Sequence, residues 1–102
     1  MSKYWARANH RLRLTDVSPA VYHVFGSEPG QLMATTPRLP WTAARTYLRT
    51  VERVLDTGAP AAGVIEPREG YPGWLYCWPV LGGVVASYFP FDVPDVRTSA
   101  SL

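Results

Sequence analysis

The chain has 102 residues, 10 Lys+Arg against 8 Asp+Glu for a formal net charge of +2, 47% apolar and 13% aromatic residues, and one cysteine. That length suits a single domain, and the apolar share excludes a wholly disordered polar chain. The charge excludes an acidic mimic of nucleic acid, and one thiol excludes a disulfide-stapled mini-protein.

Charge is unevenly spread: residues 1–53 hold eight basic and three acidic side chains, residues 54–102 two and five. Arginine outnumbers lysine nine to one, which supplies planar donors suited to phosphate or carboxylate partners. The start, MSKYWARANHRLRL, lacks the apolar core of a secretory signal. With a lone cysteine as well, the expected compartment is the cytoplasm.

Residues 1–9 read as a basic, aromatic arm. Arg11-Leu12-Arg13-Leu14 alternates polar and apolar, the pattern of a short strand or extended segment. Ser18-Pro19 reads as a break. Ala20–Phe25, rich in β-branched and aromatic residues, reads as a strand, Gly26–Gly30 as a turn, and Gln31–Thr36 as its hairpin partner.

Pro37, Pro40 and Trp41 announce a helix. Thr42 suits its cap or first turn, and Gly58 its stop. Ala44, Leu48, Val51 and Leu55 recur at helical spacing as an apolar stripe, widened by Tyr47 and Val54. Beyond Gly58 the period changes. Ala62–Ile65, Trp74–Val80 and Val84–Phe89 read as three strands of an antiparallel meander, the last two joined near Gly82-Gly83. The polar tail from Pro94 to Leu102 is expected to fray. The expected architecture is therefore α+β: one small domain with an antiparallel sheet of about five strands (β-β-α-β-β-β) and one amphipathic helix on one face.

Residues 70–91 carry no charge and are long enough to span a bilayer, but Pro72, Pro79, Pro90 and four glycines divide them into strand-sized runs. A membrane is not an expected partner. Instead, the segment poses a problem of area. A helix about 10 Å wide covers roughly half of a five-stranded sheet 20–25 Å across. In Trp74–Trp78 both faces are apolar: Trp74, Tyr76 and Trp78 point one way, Leu75 and Cys77 the other. Something is expected to cover the second face: the N-terminal arm folded across it, a barrel-like curl of the sheet, or another chain, a partner or a second copy, since Trp, Tyr and Arg dominate interfaces.

Groups able to carry catalysis are few. His23 lies in an apolar run, and Cys77, between Tyr76 and Trp78, is expected to be buried and inert. A Cys77–His23 pair lacks a third orienting residue. No metal-ligand spacing or phosphate loop is present, and no metal or cofactor is expected. Glu66 and Glu69 flank a turn.

Arg45, Arg49 and Arg53 follow one another at four-residue spacing along the helix, away from the apolar stripe, with Glu52 and Asp56 placed to pair with Arg49 and Arg53. Lys3, Arg7, Arg11 and Arg13 extend the positive charge along the arm. The reading that follows is a small non-enzymatic binding protein. It would use Arg45, Arg49, Arg53, Trp74, Tyr76 and Trp78 on a larger protein or protein–nucleic acid complex. A phage or mobile-element inhibitor of a host defence complex, anti-CRISPR-like, is its concrete form. The alternative is a nucleic-acid-binding protein or dimeric regulator, with the helix arginines and the basic arm on phosphates.

Overall fold

The structure is a computed structural model that describes residues 2–35 and 38–91. Its strands are β1 (Tyr4–Asn9), β2 (Leu14–Val17), β3 (Ala61–Ile65), β4 (Gly73–Val80) and β5 (Gly83–Pro90). Its helices are α1 (Pro19–Phe25) and α2 (Trp41–Thr57), with a 3-10 turn at Met33–Thr35 between them. The strands form one antiparallel sheet in the order β2-β1-β5-β4-β3. The α+β class, the five strands and the one long helix on the sheet are as the sequence implies.

The first third of the chain is built differently from the sequence reading. Ala20–Phe25 is helical, so the hairpin with Gln31–Thr36 does not form. Ser18 caps α1: its Oγ accepts from the Val21 N–H at 3.3 Å, and Pro19 takes the first turn, where a missing N–H costs nothing. Gly26 ends the helix at φ 69°, its N–H donating to Tyr22 O at 2.9 Å. Local capping and packing thus override the β-branched composition. The arm is not free either, because Tyr4–Asn9 runs down the middle of the sheet between β2 and β5. The expected fraying tail lies outside the described residues.

The long helix begins at Trp41 and stops at Gly58, φ 70°, as the sequence suggests. Its buried face is turned from the expected one. Ala43, Thr50, Val51 and Val54 are buried, whereas Ala44, Leu48 and Leu55 are half-exposed. Thr50 can face inward because its hydroxyl donates to Thr46 O at 2.8 Å and so leaves no unpaired polar group.

β4 and β5 meet in a two-residue connection, Leu81-Gly82, with Gly82 at φ 82°. Gly83 follows where β1 comes so close that any Cβ would strike the Ala8 carbonyl, so only glycine fits. The core lies between the sheet and α2, around Ala8, Met33, Val51, Val54, Cys77 and Val84. No helix among the described residues is long and apolar enough to cross a membrane.

A candidate ligand cavity

At the centre of the sheet, Ala6 of β1 stands opposite Ala86 of β5, both buried and both on the helix side. Two methyl groups facing each other do not fill the space beneath a helix layer, and a cavity of about 60 Å³ remains above them. A single water needs roughly 10–15 Å³ on this measure, so the space accepts several heavy atoms. Val21 and Phe25 of α1, Tyr47 of α2, and Leu75 and Tyr88 of the sheet contribute walls.

Few polar groups reach this cavity. Tyr88 donates its hydroxyl to Tyr71 O, pinning the β3–β4 loop beside the cavity. Burial pushes its pKa up to about 12, with Tyr4 and Glu66 adding to the effect. The Tyr47 hydroxyl is also pushed well above its ordinary range, first by burial and then by the Cys77 thiol.

Beyond Phe25 and Pro67, which border both spaces, lies an open cleft of about 510 Å³ lined by His23, Val24, Arg38 and Arg68. Arg38 is held there by its NH1, which donates to His23 O at 2.9 Å. The Arg68 guanidinium sits 5.8 Å from the centre of the Tyr71 ring.

The residues singled out from sequence fall elsewhere, in three groups. Trp74 and Tyr76 lie exposed on the sheet face away from the helices, at 43% and 44% of full exposure, with Trp78 half-buried beside them. Leu75 and Cys77 point into the core, as alternation requires. Trp74 and Tyr76 rings pack at 6.3 Å, Tyr76 and Phe89 at 5.5 Å, and Trp74 and Phe91 at 5.8 Å. An aromatic surface therefore crosses β4 and β5, and Trp74, Tyr76 and Phe89 remain partly open to solvent on it.

Arg45, Arg49 and Arg53 are exposed along α2. Arg45 lies 5.3 Å from the ring centre of Trp41, which is 72% exposed. The expected pairing of Arg49 with Glu52 and Arg53 with Asp56 does not occur: no ion pair joins them, as solvation of such exposed charges outweighs the gain.

The basic arm is dispersed by the fold. Lys3 sits over the Tyr4 ring at 5.3 Å. Arg7, within β1, donates to Leu81 O at 2.7 Å. Arg11 lies in the β1–β2 turn, where Asn9 Oδ1 accepts its N–H at 2.9 Å. Arg13 donates from its side chain to Gly30 O at 2.9 Å. His23 is exposed on α1, while Cys77 is fully buried beneath α2 with its thiol pushed up to about 12, so the two do not form a pair. No cluster of His, Cys, Asp or Glu with metal-binding geometry occurs among the described residues.

The fold of this chain resembles that of solved structures of VqmA. The likeness is one of fold. Against "VqmA bound to DPO" the TM-score is 0.69 at 13% identity, covering 87% of this chain and 52% of that one. Against a Vibrio cholerae VqmA dimer without target DNA, described among LuxR-type receptors, it is 0.71 at 13% identity, covering 90% and 47%. Against a VqmA–ligand–DNA complex it is 0.71 at 13% identity, covering 99% and 54%. The present chain thus spans about half the length of those proteins. No family model and no curated protein matches the sequence.

Sequence reasoning missed the cavity and the cleft beside it. Tyr47, Tyr88, Arg38 and Arg68 come from four separate segments. The Ser-Pro start and glycine stop of α1 are the one local signal that leads toward it, since that helix forms a wall.

Proposed function

We propose that this chain is a non-enzymatic binding domain that holds a small, largely apolar molecule between its sheet and its helices. The observation that carries the reading is the cavity itself. It lies over the Ala6–Ala86 pair and has apolar and aromatic walls. Concave, mainly apolar sites with a few fixed polar groups are the usual form of small-molecule pockets. That a protein of like fold is described as bound to DPO is in keeping with this role.

Substituting Ala86→Leu tests it by filling the space from the sheet side. Calorimetric titration of small aromatic alcohols such as 3-phenylpropanol is expected to give saturable binding to the unaltered chain. Binding by the Ala86→Leu variant should be at least about 10-fold weaker, with its thermal unfolding cooperative and no lower. Absence of binding by the unaltered chain, or equal binding by both, overturns the reading.

A second reading rests on the Trp74–Tyr76–Phe89 surface: this face takes a protein partner, for which a second copy of the chain is the simplest. A five-stranded sheet offers a flat area on the order of 500 Å², approaching the roughly 800 Å² per side of a standard interface. Identical faces related by a two-fold axis are self-complementary in kind. The description of VqmA as a dimer and in complex with DNA is compatible with a dimer or nucleic-acid partner here.

A further inference from the structure

We propose that the molecule held in the cavity carries a carboxylate head, received at the mouth by Arg38 and Arg68. The inference rests on the cavity being a ligand site and adds the chemical class of its ligand. Phe25 and Pro67 border both the inner cavity and the outer cleft, so the two spaces adjoin at these residues, and the body of the ligand would lie in the first with its head in the second. There the polar environment changes sharply. The inner walls are apolar, whereas the cleft presents two guanidinium groups and an imidazole, with no acidic side chain in its lining.

Both arginines have donors to spare. Arg38 uses NH1 on His23 O, which anchors the guanidinium at the cleft, and its backbone N–H donates to Phe25 O at 3.4 Å. A guanidinium has five N–H donors, so most of those on Arg38 remain for a ligand. Arg68 lies on the loop pinned by Tyr88 and beside Tyr71, whose N–H in turn donates to Arg68 O at 2.9 Å. Neither arginine forms an ion pair with a described carboxylate. A planar carboxylate matches the guanidinium fork, and the apolar body behind it matches the inner walls.

The test compares 3-phenylpropanoate with 3-phenylpropanol, ligands of the same body that differ in the head, by calorimetry at low and high salt. The intact chain is expected to bind the acid at least about 10-fold more tightly than the alcohol. Added salt should narrow the gap. In the double variant Arg38→Ala, Arg68→Ala the acid should fall to the level of the alcohol. The double variant Arg45→Ala, Arg49→Ala removes the same charge from α2 and should keep the preference. Equal binding of acid and alcohol by the intact chain overturns the carboxylate assignment while leaving the cavity as a ligand site. So does a preference that survives loss of Arg38 and Arg68. Tighter binding of 2-phenylethyl phosphate than of the acid overturns it in favour of a phosphate head. Failure of every ligand to bind overturns the cavity reading and this one together.

Discussion

At the scale of single residues, Ser18 has an unusual share of the work. Its Oγ accepts from the Val21 N–H at the start of α1 and from the Trp5 N–H of the central strand at 3.2 Å. Its own N–H donates to Trp5 O at 2.9 Å. Replacing a capping serine by alanine ordinarily costs about 1 kcal/mol. Here Ser18→Ala strands one buried and one half-buried donor, so a loss nearer 2 kcal/mol is expected in urea unfolding. A change within a few tenths of a kcal/mol would show that water replaces the hydroxyl.

Cys77 and Tyr88 give stability a dependence on alkali. The thiol ionises near 9.0 when free and at about 12 in the fold. The Tyr88 hydroxyl moves from 10.0 to about 12. Between those limits the unfolded chain binds fewer protons than the folded one, so rising pH favours unfolding. Stability is therefore fully present below about pH 9 and declines toward pH 12. Urea midpoints measured from pH 8 to 11 are expected to fall, and Cys77→Ala should flatten the part of the decline that starts near pH 9. A profile that stays level in the unaltered chain contradicts this.

At the scale of elements, what was legible depended on how local the signal was. The α2 boundaries follow from Trp41 and Gly58, and the β4–β5 hairpin from its uncharged runs around Gly82. In Trp74–Trp78 the alternation places each side chain on its correct face, because a strand's period of two needs no tertiary knowledge. The α1 segment misleads because Val21, Tyr22, Val24 and Phe25 suit a strand by composition, whereas the cap at Ser18 and the stop at Gly26 decide in favour of helix. Rotation of the α2 stripe toward Thr50 depends on the Thr46 carbonyl and on Gly63 lying opposite, 3.6 Å from the Thr50 hydroxyl at its Cβ position. No periodicity reports such an arrangement. The cavity is less legible still, since it needs the β1–β5 register that sets Ala6 against Ala86 across eighty residues of chain.

At the scale of the whole molecule, the two faces of the sheet differ in what covers them. One carries the helices and encloses the cavity; the other carries Trp74, Tyr76 and Phe89, still substantially exposed. If the second face pairs with a copy of itself, sedimentation at micromolar concentration should give a mass above the 11.3 kDa of one chain. The double variant Trp74→Ser, Tyr76→Ser should then sediment as the monomer, while ligand binding on the opposite face stays within about twofold. Trp41→Ala, on α2, should leave the mass unchanged. A monomer in the unaltered chain removes self-pairing as the role of this face.

The placement of β1 has a consequence for how the protein is made. Tyr4 is matched with Tyr88, and Asn9 with Gly83, so β1, made early, waits for β5. At roughly 5–20 residues per second, the intervening chain takes some seconds to appear. Throughout that interval the alanine-rich middle of β1 lacks its long-range neighbour. A nascent chain halted before Pro90 has emerged holds a sheet split at its centre, with β4 and β3 on one side and β1 and β2 on the other. Closure of the cavity thus waits until β5 has been made.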